Sequence, residues 1–199
     1  MKRKLLSVIL ALAMLCSLML VPAAAAEPDG GNWYDGAMST WADRGVLQGD
    51  AGGNLNPTAN ITRAELAVIL DRIMGYQVKG SNTFADVQDG AWYADAVLKA
   101  SAAGVLQGDG ANARPSATIT RQEAMVMLAR VMKLSGEDGA SAGFADQDQI
   151  ASWALDAVKS MAAKGYVNGS GGRIMPTANI TRAEIAVMLD NMFAGYFDQ

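Results

Sequence analysis

Histidine is absent from this sequence, and cysteine nearly so. There is no His, and the single Cys, Cys16, lies in an apolar segment near the N-terminus. The usual zinc sites and the nucleophiles that depend on His or Cys are therefore excluded, and so is a disulfide within the chain. We predict no metal site and no cofactor, and we expect stability to come from packing alone.

Long apolar runs are also scarce, and the clearest one lies in residues 5–21. Three basic residues (2–4) precede this run and four Ala residues (23–26) follow it. This layout is typical of a secretory signal peptide, which we predict at residues 1–26. The alternative is an uncleaved membrane anchor, but a run of 17 residues is at the short limit for spanning a bilayer. We therefore expect an exported protein with no stable membrane insertion after signal cleavage.

Positive charge is in short supply once this segment is set aside. Removing its three basic residues leaves 13 Lys and Arg against 20 Asp and Glu, a net charge of −7. An acidic protein of this kind is not expected to bind nucleic acid. An anionic ligand would have to be held by basic groups gathered locally.

A six-residue pattern occurs three times in the chain. The copies are Ile61–Leu66, Ile119–Ala124 and Ile180–Ile185, which start 58 and then 61 residues apart. Each copy follows a Pro, and each is followed by the same apolar pattern. This recurrence predicts three repeats, at residues 27–79, 80–138 and 139–199. One two-helix repeat cannot bury its apolar stripe alone, so we expect the three to form a single all-α domain.

Each repeat is predicted to contain two helices joined by a Gly-rich loop. The first helix follows a Trp and ends at a Gly in the left-handed conformation, namely Gly45, Gly104 or Gly165. Two apolar residues and then Gly49, Gly108 or Gly169 open the loop. The second helix has an apolar stripe, which in the first repeat is Leu66, Ile69, Leu70, Ile73 and Met74. Gly75, Gly136 and Gly195 are expected to end it.

The repeated motif itself predicts the start of each second helix. Its Thr and Glu have the spacing of a capping box, in the pairs Thr62/Glu65, Thr120/Glu123 and Thr181/Glu184. Because the caps already use these Glu residues, we interpret them as structural rather than catalytic. A carboxylate pair for glycoside hydrolysis is not marked anywhere else, and an enzyme is not predicted.

The Arg of the motif is the strongest candidate for binding a ligand. It falls at the first helical position, where the helix dipole disfavours a positive charge, yet all three repeats have Arg there. One interpretation is an ion pair with a carboxylate of the neighbouring repeat. The other, which we favour, is an anion site formed by Arg beside free N–H groups of the helix. On this hypothesis Arg63→Ala should cost little stability.

Two other features leave alternatives open. The Trp residues that open the repeats could be core anchors or platforms on which sugar rings stack. The Gly- and Asp-rich turn at residues 49–54 suggests calcium, but it lacks the alternating ligands and the closing Glu of an EF-hand, so a simple turn is the better account.

Three repeats, each with a Trp start, a Gly-rich middle, a Pro and then Ile-Thr-Arg, resemble the S-layer homology (SLH) repeat over residues 27–199. Proteins of this kind are typically held non-covalently on bacterial cell walls. The resemblance implies a pseudo-threefold, three-lobed helical domain. Its grooves would bind secondary cell wall polymer, an anionic polysaccharide, often through a pyruvylated N-acetylmannosamine unit. The ligand-binding residues it implies are Arg63, Arg121, Arg182, Trp33, Trp92, Trp153, Gly49, Gly108 and Gly169.

The sequence departs from the SLH pattern in places. Leu55, Ala113 and Ile174 stand where the family commonly has an aromatic residue, and Gln122 stands where Ala is usual. The first repeat also lacks the Phe-x-Asp segment that opens the other two. Individual grooves are therefore expected to differ in strength.

We thus predict a secreted, non-catalytic protein of the cell surface or cell wall that binds an anionic polysaccharide. The alternative is a structural or adaptor protein of the surface that acts through self-assembly or a protein partner. That alternative gains weight from the end of the chain at Gln199, with no second domain expected.

Overall fold

The computed structural model describes residues 31–136, 143–194 and 196. Within these residues the chain is helical and has no β-strand, so the predicted all-α class is confirmed. The helices are α1 (Asp35–Asp43), α2 (Arg63–Met74), α3 (Ala94–Ala102), α4 (Arg121–Val131), α5 (Leu155–Ala163) and α6 (Arg182–Phe193). Two short 3₁₀ turns, Gln147–Gln149 and Ser152–Ala154, precede α5. The segment predicted as a signal peptide and Gly195 lie outside the described residues.

The second helix of each repeat begins with a complete capping box. In α2 the Thr62 hydroxyl accepts a hydrogen bond from Glu65 N–H at 3.2 Å, and a Glu65 carboxylate oxygen accepts one from Thr62 N–H at 2.7 Å. Thr120 with Glu123 and Thr181 with Glu184 form the same reciprocal pair at α4 and α6. The start of each helix is therefore encoded by four consecutive residues, as expected for this motif.

Where the predicted terminal Gly is described, the helix ends agree with the sequence except at α4. Gly45, Gly104 and Gly165 follow the first helices with φ of 70°, 73° and 72°, and Gly75 ends α2 with φ 60°. Gly136 does not end α4, and that prediction was wrong. Lys133, with φ 51°, takes the left-handed position instead. Its N–H bonds to Arg130 O and the next N–H, of Leu134, bonds to Ala129 O, so a Schellman motif closes the helix without glycine.

The helices of different repeats pack against each other, within the unit of residues 33–199. The main contacts pair α2 with α3, α4 with α5, and α6 with α1. Each second helix thus lies against the first helix of the following repeat, and the last pair returns to the start. The three repeats therefore close into a ring, which explains why one repeat could not bury its own apolar stripe.

A cycle of backbone hydrogen bonds lies at the centre of this ring. Ile61 N–H bonds to Ile180 O at 3.0 Å, Ile119 N–H to Ile61 O at 3.1 Å, and Ile180 N–H to Ile119 O at 3.1 Å. All three Ile residues are completely buried. The first residue of each motif thus joins all three repeats about a pseudo-threefold axis.

The apolar stripes form the core around this centre. Leu66, Leu70 and their counterparts in α4 and α6 are buried, and Trp41 of α1 packs edge-to-face on Phe193 of α6 at 6.0 Å. Met74 is an exception, because it is the last residue of α2 and is 41% exposed. In the described part of the chain no helix has the length and apolar character needed to cross a bilayer.

Candidate functional site: three grooves between the repeats

Three grooves run along the boundaries between the repeats, and each is built from all three of them. A groove takes a Gly and a Glu from one repeat, a Trp from the next and an Arg from the remaining one. The sets are Gly49, Glu65, Trp92 and Arg182 in groove 1, Gly108, Glu123, Trp153 and Arg63 in groove 2, and Gly169, Glu184, Trp33 and Arg121 in groove 3. Their volumes are about 210, 270 and 480 Å³ respectively. All nine residues proposed from the sequence as ligand-binding therefore line a groove.

The three Trp residues that open the repeats lie on the surface. Trp33, Trp92 and Trp153 are 68%, 68% and 58% exposed, so of the two interpretations left open by the sequence, a core anchor is excluded. The Trp33 and Trp92 rings pack edge-to-face on the Tyr that follows each of them, at 5.3 and 5.4 Å. An indole held by such a contact presents a large apolar face beside the groove.

The loop glycines are required by close backbone contacts. A Cβ added at Gly49 would lie 2.6 Å from the carbonyl carbon of Gly53, which is far inside contact distance. At Gly108 and Gly169 it would collide with the carbonyl oxygens of Asn112 and Arg173. Each loop therefore folds tightly on itself at the point where it lines a groove.

The first N–H groups of the second helices are not free to bind an anion, contrary to our expectation. Arg63 N–H bonds to Ala117 O and Ala64 N–H to Pro115 O, both at 3.0 Å, across the boundary to the second repeat. The next N–H, of Glu65, bonds to the capping hydroxyl. The same bonds recur at α4 and α6. The helix N-termini hold the repeats together, so any anion in a groove must be bound by side chains.

The motif Arg side chains are buried, and each one connects its own repeat to the next. Arg63, Arg121 and Arg182 are 5%, 5% and 9% exposed. The Nε of each donates to a backbone carbonyl of the following repeat in the ring, that of Ala113, Ile174 or Leu55, at 2.7–2.9 Å. These are the three positions where the family pattern commonly has an aromatic residue.

Each motif Arg is also paired with the capping Glu of that neighbouring repeat. The Nη1 to Oε1 distances are 3.7 Å for Arg63–Glu123, 2.6 Å for Arg121–Glu184 and 3.5 Å for Arg182–Glu65. The ion pair that we weighed against anion binding is therefore present, and we now expect Arg63→Ala to cost stability. Each Glu uses one oxygen for its cap and the other for the Arg.

Charge is not evenly balanced around Arg63. Burial lowers the pKa of Arg63, and the nearby positive charge of Arg114 lowers it further, while Glu123 acts in the opposite direction. Arg nevertheless stays protonated at any physiological pH. Groove 2 therefore combines a buried guanidinium with a second one close by.

In the second and third repeats, a Phe-x-Asp segment positions the loop that receives the motif Arg. The Asp146 carboxylate accepts hydrogen bonds from Ile174 N–H and Met175 N–H, both at 2.9 Å, and Asp86 accepts from Ala113 N–H and Arg114 N–H. Burial alone would raise the pKa of Asp146, but the hydrogen bonds from these two N–H groups and from its own N–H, together with the charge of Arg173, bring the pKa below its ordinary value.

A second Arg lines two of the grooves and was missed in the sequence analysis. Arg72 and Arg130 each stand nine residues after a motif Arg, and each donates to a loop carbonyl and to a Gln side chain, Gln48 or Gln107. Asn191 holds this position in the third repeat. The recurrence of Arg at this spacing in two repeats was the signal that could have revealed it.

A model of the S-layer homology domain matches residues 28–67, 83–125 and 143–186 of this chain. The chain belongs to the S-layer homology domain family. Each matched segment lies within one of the three repeats predicted from the sequence, and each contains one copy of the motif Arg.

Several surface proteins are similar to this SLH chain. The surface-layer 125 kDa protein of Lysinibacillus sphaericus is 34% identical over 88% of the chain, and an amylopullulanase of Thermoanaerobacterium thermosulfurigenes is 33% identical over 79%. A cellulosome-anchoring protein of Acetivibrio thermocellus is 32% identical over 72%. The matched parts are 16%, 9% and 34% of the lengths of those proteins. The chain thus spans a minor part of these relatives.

Family membership assigns the chain a role and a location. SLH domains are binding modules that anchor proteins at the bacterial surface, and this chain is a secreted, wall-associated protein of that kind. No group of three or more His, Cys, Asp or Glu able to hold a metal ion occurs among the described residues.

Proposed function

We propose that the three grooves bind secondary cell wall polymer, with a pyruvylated N-acetylmannosamine unit as the recognised sugar, and that this binding is non-catalytic. The observation that supports the proposal most is the composition of each groove. An exposed Trp, a buried Arg and a tight Gly loop come together from three different repeats in every case.

The groove residues suit an acidic sugar in complementary ways. The apolar face of the indole matches the apolar face of a sugar ring, and the guanidinium offers N–H donors to a carboxylate. The motif Arg already shares its charge with a Glu, so each single groove is expected to bind modestly. A repetitive polymer that occupies more than one groove would still be held firmly, because the first contact raises the effective concentration for the next.

The proposal is tested by co-sedimentation of the protein with purified cell-wall sacculi, before and after chemical removal of the secondary polymer. Wild type is compared with the Trp33/Trp92/Trp153→Ala variant. Trp is changed rather than the motif Arg, because the Arg residues also hold the fold together. The control changes two exposed apolar residues that line none of the three grooves, Val78→Ala and Tyr196→Ala.

We expect wild type and the control to pellet with intact walls, and pelleting to be lost both on removal of the polymer and in the Trp variant. Pelleting that survives removal of the polymer would contradict the proposal. So would a folded protein that stays in the supernatant with every polymer-bearing wall. Sedimentation that rises with protein concentration in the absence of walls would favour self-assembly instead.

A further inference from the structure

The three grooves share one plan, and two of the positions at which they differ change their charge. One is the residue before the loop Pro, which is Asn56, Arg114 or Met175 in successive repeats. All three adopt a positive φ of 50–54°, so the backbone is the same and only the side chain changes. The other is the position nine residues after the motif Arg, occupied by Arg72, Arg130 or Asn191.

Groove 2 is the most positive of the three. Arg63, Arg114 and Arg130 line it, against one lining carboxylate, Glu123. Arg114 is partly balanced, because it lies 3.3 Å from Asp109 and 3.5 Å from Glu123. Arg130 donates to two neutral acceptors, so its charge is not offset by the groups it bonds. The Arg114 side chain lines the groove and is 48% exposed, so it is accessible to a ligand.

Groove 3 has no such excess of charge. Arg121 and Glu184 line it and form the shortest of the three Arg–Glu pairs, at 2.6 Å. Met175 and Asn191 replace the two additional Arg residues. Asn191 keeps only the bond to the loop carbonyl, from its Nδ2 to Tyr166 O at 3.4 Å. This groove is also the largest, at about 480 Å³.

Groove 1 lies between these two extremes. Arg182 and Arg72 line it with Glu65, and Arg114 has no basic counterpart there because Asn56 takes its position. The Asn56 amide instead bonds to the Asp50 carboxylate at 3.1 Å within its own loop. The order of positive charge is therefore groove 2, then groove 1, then groove 3.

We infer that the grooves divide the ligand between them: groove 2 selects the acidic group of the wall polymer through Arg114 and Arg130, whereas groove 3 takes an uncharged part of it. This inference rests on the proposed function and adds which groove recognises the charge. A carboxylate entering groove 3 would meet one guanidinium that Glu184 already engages. In groove 2 it meets two further guanidinium groups, and charge-assisted hydrogen bonds are the stronger kind.

The Trp residues make the inference testable groove by groove. The chain has four Trp residues, one beside each groove and Trp41 in the core. Their indole N–H signals in a ¹⁵N-labelled sample, assigned with single Trp→Phe variants, report on groove 3 (Trp33), groove 1 (Trp92) and groove 2 (Trp153). The probe is the methyl glycoside of pyruvylated N-acetylmannosamine, and its methyl ester is the uncharged control.

Two double variants exchange the residues at these two positions between groove 2 and groove 3. Arg114→Met with Arg130→Asn gives groove 2 the residues of groove 3. Met175→Arg with Asn191→Arg does the reverse. Because the backbone is the same at each matched site, both variants are expected to fold, which an unchanged Trp41 signal and far-UV circular dichroism verify.

In wild type we expect the acidic probe to shift the indole N–H signal of Trp153 at a lower concentration than those of Trp33 and Trp92. The methyl ester should show no such preference for groove 2. Arg114→Met with Arg130→Asn should weaken the Trp153 response about tenfold or more, as the loss of a charge-assisted bond implies. The reverse exchange should strengthen the response of Trp33. Equal responses of Trp33 and Trp153 in wild type, or exchange variants that respond as wild type does, would overturn the inference. If the protein still pellets with walls in that case, the proposed function stands. No indole response together with no pelleting would overturn both.

Discussion

At the scale of single residues, the motif Arg shows how one side chain can join two repeats. Arg63 begins α2 in the first repeat, yet its side chain donates to Ala113 O at 2.9 Å and to Gln107 O at 2.8 Å in the second. The helix dipole opposes a positive charge at that position. The bonds across the repeat boundary, rather than local helix stability, account for its presence there.

Arg63→Ala is therefore expected to destabilise the protein by on the order of 2–3 kcal/mol, because it leaves the buried Ala113 carbonyl and the partly buried Gln107 carbonyl without this charged donor and removes the ion pair with Glu123. Urea unfolding measures this cost. Arg114→Met is the control, since it removes an Arg from the same groove whose side chain is 48% exposed, and it should change stability by about 0.5 kcal/mol or less. Equal costs for the two variants would contradict this role of Arg63.

Asp146 is expected to make stability depend on acid pH. Its pKa is lowered in the folded state, so its contribution is present above the unfolded pKa of about 3.9 and is lost as pH falls through the folded value. The difference in unfolding free energy between wild type and Asp146→Asn should stay constant from about pH 5 to 8 and shrink below about pH 4. A difference that persists undiminished at low pH would contradict the assignment.

At the scale of elements, the grooves depend on loops that are closed more tightly than any residue except Gly allows. A Cβ at Gly108 would collide with Asn112 O and lie 2.7 Å from Cε1 of Phe84, which belongs to the Phe-x-Asp segment of the second repeat. The loop that lines groove 2 at Gly108 therefore packs tightly against the Phe-x-Asp segment.

Gly108→Ala should cost about 1–3 kcal/mol through overpacking and should remove the Trp153 response to the acidic probe. Gly36→Ala is the matched control, because a Cβ there meets open space and Gly36 lies within α1. That change should leave stability unchanged or raise it by up to about 1 kcal/mol. Thermal unfolding measures the stability of both variants. A Gly108→Ala protein that is as stable as wild type and keeps its Trp153 response would contradict the argument.

At the scale of the whole molecule, the repeats form a closed ring rather than an open stack. In an open array each repeat contacts only its neighbours in sequence, and the ends are free. Here α1 packs on α6, and the cycle through Ile61, Ile119 and Ile180 has no end. Loss of one boundary should therefore weaken all three repeats together.

Phe193→Ala tests this closure, because Phe193 packs on Trp41 across the α1–α6 boundary. We expect a loss of about 3–5 kcal/mol and a single unfolding transition in which Trp fluorescence and far-UV circular dichroism coincide. Separate transitions, with most of the helix signal retained after the Trp signal is lost, would show that the repeats unfold independently.

The local features of this structure were predictable from sequence, and the contacts between repeats were not. Thr62 and Glu65 are three residues apart, so their cap follows from spacing alone. The second oxygen of Glu65 pairs with Arg182, 117 residues away, and nothing in the local sequence identifies that partner. The wrong prediction at Gly136 has a similar origin. We expected a Gly to take the positive φ that ends α4, but Lys133 takes it instead.

The same limit applies to the site. Trp, Gly and Arg were recognisable as candidates because they recur, but a groove combines residues from three different repeats. Only the closed ring places Trp153 beside Arg63 and Arg130. The charge difference between grooves could not be read from the motif, because it depends on Arg114 and Arg130, which lie outside it.

The most direct test of the central claim, that each groove assembles a binding site from different repeats, is a double-mutant cycle on binding to purified wall polymer. Trp153 and Arg130 line the same groove, whereas Trp153 and Arg72 line different ones. Isothermal titration calorimetry of Trp153→Ala, Arg130→Ala, Arg72→Ala and the two double variants gives both coupling energies. We predict a coupling of about 0.5 kcal/mol or more for Trp153 with Arg130, and additive effects for Trp153 with Arg72. Additive effects for both pairs, or coupling of equal size in both, would contradict the account.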